Sequence, residues 1–382
     1  MKNLLYALPL LVLMACGKQT AEETVDFSNI TFTMDTVIVN PGEEIINLGS
    51  GLWNSVMNAD NSKLYLFDDK TAELNIVDLD QLKLQEKVKF EKEGPNGIGA
   101  YVTWMSYLDN GRLLISNFDA MGLFDLNGTK LRSYDLTKGT FQGDTLSEGQ
   151  NFYQRSVITE DGNVIYGLMG NWMDEMETFA KVDFRKNLVK EIKLPGKESL
   201  QDFKLILKTD DMFTIMASDK KLVQVGEKLI LSHSGYTNLF VIDMATDSAY
   251  QVDYTPKLTA KAKEGDYPAE VDTEKRFKEV MEQFYAEINF QAPIWDAKNK
   301  RYYRFSYETA PTGDTDGPLF QSAENKSISK VYLSILDENF ELLGESLTAL
   351  KQVPANAFVK DGQIWSYVNV DDELGFVRMK LD

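Results

Sequence analysis

The chain has 382 residues, one cysteine and one histidine, with 40 Lys and Arg against 59 Asp and Glu for a net charge of −19. So acidic a surface argues against nucleic acid and against attachment to anionic lipid through charge. A single histidine cannot build a His-based metal centre, and a single cysteine cannot form a disulfide within the chain.

The chain opens with Lys2 and runs apolar from Leu4 to Ala15. This is the layout of a secretory signal, and too short for a membrane-spanning helix, which needs about 20 apolar residues. The segment "LMAC" (13–16) places a small residue directly before Cys16 and resembles a bacterial lipobox. The resemblance implies a signal peptide over 1–15, cleavage before Cys16, and acylation of that cysteine, palmitate included. Gly17 follows where an aspartate would retain the protein at the inner membrane, so the pattern points to the outer membrane. Lys18, Glu22 and Glu23 partly resemble a surface-export tether, which leaves the periplasmic and surface-facing sides both open. Residues 16–29 are expected to tether a body covering 30–382.

One pattern recurs along that body: a tight turn, then an alternating apolar strand. It reads "NSKLYLF" (61–67), "NGRLLIS" (110–116), "DGNVIYG" (161–167), "GEKLILS" (226–232), "NKRYYRFS" (299–306) and "DGQIWSY" (361–367). Asn and Gly, or Asp and Gly, suit the positive φ angles of a hairpin, so each copy joins two antiparallel strands. A further strand follows each copy. In five of the six it ends near an aspartate: Asp78, Asp125, Asp183, Asp243 or Asp337. Repeated in register, these carboxylates are expected to accept turn N–H groups rather than to act as catalytic acids.

Four antiparallel strands repeated six times is the signature of an all-β, six-bladed β-propeller. The sixth unit stops after three strands, while "ITFTMDTVIV" (30–39) has no unit of its own. Pairing the two would complete the last blade and remove an open edge. With the lipobox and the inter-repeat turn "EGPNGIG" (93–99), the chain resembles a Bacteroidota lipoprotein family with a TolB-like six-bladed propeller. That family is known only as a domain of unknown function, so the resemblance implies a fold and brings no chemistry.

The long segments 137–152, 196–219, 255–288 and 310–328 all fall on second-to-third loops or between repeats, which in a propeller share one face. That face is expected to carry function. Within 255–288, Phe277, Val280, Met281, Phe284, Tyr285 and Ile288 form a helical stripe, with Asp272 placed to cap it. Asp314 and Asp316 resemble the start of a calcium loop without its distal Glu, so no cofactor is assigned. First strands line a propeller's channel. The candidate ligand-binding set around its mouth is Trp53, Asn54, Tyr101, Trp104, Tyr153, Arg155, His233, Gln291, Trp295 and Asn356. Aromatic rings with amides and one arginine suit a protein or glycan partner. No catalytic residue is assigned: there is no Gly-x-Ser-x-Gly elbow, and His233 stands alone. The expected role is binding at the loop-rich face by a lipid-anchored protein. A hydrolase or lactonase using channel carboxylates, with or without calcium, is the alternative.

Overall fold

The computed structural model describes residues 27, 30–117, 120–136, 140–144, 150–152, 156–170, 177–310 and 329–382. The expected signal segment, Cys16, Tyr153, Arg155, Asp314 and Asp316 lie outside them.

The chain folds as successive antiparallel meanders. Meander 1 comprises Ser55–Met57, Lys63–Asp68, Glu73–Asp78 and Lys83–Lys89; meander 2 comprises Trp104–Leu108, Arg112–Ser116, Met121–Asp125 and Lys130–Tyr134. In meander 3 the first strand is split into Asn151–Phe152 and Val157–Ile158, before Val164–Gly170, Thr178–Asp183 and Leu188–Glu191. Meander 4 comprises Lys220–Val225, Lys228–His233, Leu239–Asp243 and Ser248–Val252. Meander 5 again splits its first strand, into Asn289–Phe290 and Ile294–Asp296, and continues with Arg301–Thr309, Ser329–Leu336 and Leu342–Leu347. Meander 6 has Ala355–Lys360, Gln363–Val370 and Glu373–Leu381. Its fourth strand is Phe32–Ile38, which pairs antiparallel with the last strand from Phe32 opposite Leu381 to Ile38 opposite Gly375.

The turns form for the reasons legible in their residues. Every first-to-second turn holds a residue in the left-handed region: Asn61, Gly111, Gly162, Gly226, Lys300, and Asp361 with Gly362. The recurrent aspartates accept local backbone N–H groups, Asp125 from Asn127 and Thr129 (3.0 and 2.8 Å) and Asp337 from Asn339 and Glu341 (both 2.8 Å). Asp78, Asp183 and Asp243 do the same. In the glycine-rich turn between meanders 1 and 2, Gly99 sits at φ +93, and a Cβ there would meet the Asn117 amide at 2.3 Å. That amide donates to the carbonyl of Ile98 (2.9 Å).

Second strands carry apolar residues on both faces, and alternation sends them to opposite neighbours. Leu64 and Leu66 pack against Phe358, Trp365 and Phe376 of meander 6, whereas Tyr65 and Phe67 pack against Met105, Leu113 and Ile115 of meander 2. Meanders 2 and 3 share a core through Leu114, Leu123, Ile165 and Val182, and meanders 3 and 4 through Leu168, Phe179, Leu231 and Phe240. Ile230, Val241 and Tyr302 join meanders 4 and 5; Phe305, Leu333, Ile364 and Met379 join 5 and 6. The six cores therefore link the meanders in a cycle, and the arrangement is propeller-like.

Two of the long connections are more than loops. Lys204–Lys208 and Phe213–Ala217 form a hairpin, and Glu270–Val271 pairs parallel to the first of these strands. Over this small sheet lies the helix Glu274–Ala286. Leu205, Leu207, Met216, Val271, Phe277, Val280 and Phe284 make a seventh core of their own. The helix is capped by Thr273, not by Asp272 as the sequence suggested: Thr273 is extended, and its hydroxyl accepts from the Arg276 N–H (3.3 Å). Tyr285, at 38% exposed, falls at the margin of the expected stripe.

Since Phe277 is fully buried in the seventh core alone, Phe277→Ala should cost about 3–5 kcal/mol locally. Hydrogen exchange should then accelerate over 204–217 and 270–286 while the second strands of the six meanders keep their protection.

Candidate functional site

Trp53 stands at the entry to meander 1 and is 70% exposed. The ammonium of Lys221, on the first strand of meander 4, lies 5.8 Å from its ring centroid. Meanders 1 and 4 are three steps apart around the cycle of cores, so the pair meets across its middle. A cation–π contact at such an exposed site contributes about 0.5–1 kcal/mol. It leaves most of the indole open.

Beneath Trp53 the polar groups are fixed. Asn54 is buried, and its Nδ2 donates to Asp69 Oδ2 (2.6 Å), while Asp69 Oδ1 accepts from the Val102 N–H (2.8 Å). One carboxylate thus ties the Trp53–Asn54 entry to the Tyr101–Val102 entry of the next meander. Burial raises the Asp69 carboxyl above its ordinary value, against the lowering effect of those two donors and of Lys92. Asn54 Oδ1 is buried and accepts no hydrogen bond among the described residues. Tyr101 is 39% exposed beside it in sequence.

A second polar group joins meanders 4 and 5 to the insertion. Arg304 is fully buried and donates from Nε to the Gln291 carbonyl (2.8 Å), from Nη2 to the Tyr236 carbonyl (3.0 Å), and from Nη1 to the Thr237 carbonyl. Its guanidinium also lies 5.0 Å from the Phe290 ring centroid. Lys263 is buried too, donating to the Phe284 carbonyl at the helix C-terminus (2.6 Å) and to Asn289 Oδ1 (2.8 Å), 4.0 Å from the Phe284 ring. Burial pulls its ammonium down to about 7, with Glu287 opposing. His233 Nδ1 accepts from the Gly235 N–H (3.1 Å), which puts the imidazole proton on Nε2, a buried donor that meets no acceptor among the described residues. Burial first, then the charges of Lys220, Arg304 and Lys263, hold this imidazole down at about 3.

The structure thus brings together Trp53, Asn54 and Tyr101 from the expected set. Gln291 is structural: its Nε2 donates to the Pro354 carbonyl (3.0 Å), linking the entries of meanders 5 and 6. Asn356 is exposed near that entry, in the left-handed region at φ 45 beside a bulge. Three members of the set lie elsewhere. Trp104 is only 5% exposed and belongs to the core between meanders 2 and 3, because its strand turns that ring sideways between sheets. Trp295 sits at the hairpin end of its strand, its ring 4.6 Å from that of Tyr302. His233 lies under the insertion rather than open at the mouth. Lys221, Asp69, Lys263 and Arg304 were absent from the expectation. Arg304 carried a signal in "RYYRFS", a charged residue at an inward position of an apolar strand.

Among the described residues, no group of three or more His, Cys, Asp or Glu side chains could hold a metal ion. What the mouth offers is an open indole, a cation and a phenol ring over a rigid polar floor, which suits recognition of a flat or extended surface.

His233 unfolds to an ordinary imidazole near 6.5 and is held at about 3 when folded. Its lowered value makes its share of stability complete above the unfolded value and lost as pH falls from 6.5 towards 3. As it is the only histidine, its Cε1–H resonance should show no titration between about pH 8 and about pH 5. Lys263 acts at the other end: the cost of its buried charge, full below about 7, should ease as pH rises towards the ordinary 10.5, so stability climbs there. Lys263→Met should flatten that alkaline rise in denaturant melts. Trp104→Ala should cost about 3–5 kcal/mol of global stability as a core truncation, read as a fall in the melting midpoint.

No helix among the described residues is long and apolar enough to cross a membrane. The chain resembles the crystal structure of a DUF4221 family member from Bacteroides vulgatus, with 16% identity and a TM-score of 0.63, covering 94% of this chain and 99% of that one. It also resembles a putative exported protein from Bacteroides fragilis, with 8% identity and a TM-score of 0.50 over 93% of this chain and 99% of that one. No functionally curated protein matches it. The model of the domain of unknown function DUF4221 matches residues 27–347, the greater part of the sequence, and the chain therefore belongs to that family.

Proposed function

We propose that the chain is a lipid-anchored, six-bladed β-propeller of the outer membrane that binds a protein partner or ligand on its loop-rich face and performs no catalysis. The observation that carries binding is Trp53, an indole 70% exposed and met by Lys221 from across the cycle of cores. Such an amphipathic ring gives large contact area for little lost freedom, and it is over-represented where partners dock. Six blades are supported by six cores that link the meanders cyclically, with the first and last joined. The anchor is supported by "LMAC" and the apolar run before it. Binding without turnover is supported by the one imidazole, which stays buried and neutral.

The test is crosslinked capture of the tagged, full-length protein from its native membranes. The Trp53→Ala/Lys221→Ala variant should recover the partner at least about tenfold less, as expected for loss of an anchoring aromatic. Its stability should change by no more than about 0.5 kcal/mol because both sites are at the surface. Undiminished recovery would remove the mouth as the binding site. Cys16→Ala should move the protein from the detergent phase to the aqueous phase, and retention in detergent would refute the anchor.

A further inference from the structure

Lys263 and Asn289 meet inside the protein, 4% and 2% exposed. The lysine Nζ donates to Asn289 Oδ1 (2.8 Å) and to the Phe284 carbonyl (2.6 Å), with the Phe284 ring centroid 4.0 Å away. Both acceptors are neutral oxygens. A buried ammonium held by neutral partners is poorly compensated, so burial favours the uncharged amine. An uncharged lysine amine in an apolar pocket is a nucleophile.

The asparagine is pinned as its electrophile. Its Nδ2 donates to the Tyr285 and Glu287 carbonyls (3.0 and 2.7 Å), so the amide cannot turn away without losing both bonds. A carbonyl bond is about 1.2 Å long. Nζ therefore lies no more than about 4 Å from Cγ, within about 1 Å of a near-attack distance. Burial of both side chains excludes water, the competing nucleophile. Glu287 supplies a carboxylate nearby: its Oε2 accepts from the Glu264 and Gly265 N–H groups (2.7 and 3.3 Å), and its charge acts on Lys263.

We propose that Lys263 and Asn289 join in an isopeptide bond: Nζ attacks Cγ, the Nζ–Cγ bond forms, the Cγ–Nδ2 bond breaks, and Nδ2 leaves as ammonia. The attacking amine gives up one proton, which Glu287 relays to the departing nitrogen. The exchange needs no co-reactant. One neutral secondary amide replaces the amine and the primary amide. The bond closes residues 263–289 into a covalent loop that contains Glu270–Val271 and the helix Glu274–Ala286. The alkaline rise in stability described above belongs to the open pair of freshly folded chain and is lost as the bond forms.

The test is mass spectrometry of the full chain, incubated folded at mildly alkaline pH, first intact and then after proteolysis. The mass should fall by that of one ammonia, and residues 263 and 289 should be recovered together in one branched peptide. Chain held in guanidinium at the same pH should form no such peptide, because only the fold aligns the pair. Glu287→Gln keeps an acceptor for the two N–H groups but cannot relay a proton, and it should form the bond at least about tenfold more slowly. Asn289→Ala should never form it. Recovery of the two residues in separate peptides after incubation, equal crosslinking in guanidinium, or an undiminished rate in Glu287→Gln would each overturn the proposal.

Discussion

Burial of both faces of every second strand is the constraint on which the rest depends. Leu64, Tyr65, Leu66 and Phe67 are consecutive, and none is more than 4% exposed. A meander on its own would present both faces to water, and one with a single neighbour would still present one, so each is fully covered only between two others. The same condition holds for the first and last, which is why the cycle must close. The closing strand, Phe32–Ile38, supplies little of the core itself. Its role is to finish the hydrogen bonding of a sheet whose other members come from the far end of the chain.

Closure leaves the two rims of the cycle free for different uses. One rim carries tight turns stapled by aspartates, each short and locally satisfied. The other carries the connections, and two of these fold together into a small sheet and helix. The helix end of that unit is joined to the cycle through buried Lys263, and buried Arg304 joins meanders 4 and 5 beside it. Burying a guanidinium is costly unless its donors are met, and Arg304 meets three carbonyls from two meanders. Lys263 does likewise for the helix end. These bonds demand one geometry, so the helix end is held against the first strand of meander 5.

Much of the architecture was legible because it is repeated. Six hairpin signals, five turn aspartates and an orphan N-terminal strand are local patterns, and repetition multiplies weak signals. The insertion sheet was hidden because it is neither repeated nor local: Leu207 pairs with Val271 across a whole meander. Trp104 and Trp295 were misplaced because alternation in a strand says which residues share a face, not whether that face looks into a channel or a neighbouring sheet. The cap moved by one residue because Asp272 and Thr273 are both good cap types, and only backbone dihedrals choose between them. Trp53 was legible as an aromatic at a strand entry. Lys221, which meets it from three meanders away, was not.

The pairing of Phe32 with Leu381 has a mechanical side. The residues that precede Phe32 enter the fold at the end of its closing strand, beside the chain's own C-terminus. Tension drawn through the N-terminal segment would load the contacts of Phe27 and Ile30 with the core between meanders 5 and 6 first, and the closing strand next. A pull directed away from the sheet would part the pairs one at a time from Phe32 inward, whereas a pull along the strand would strain all seven pairs together. The direction of load, more than its size, would decide how long the cycle stays shut.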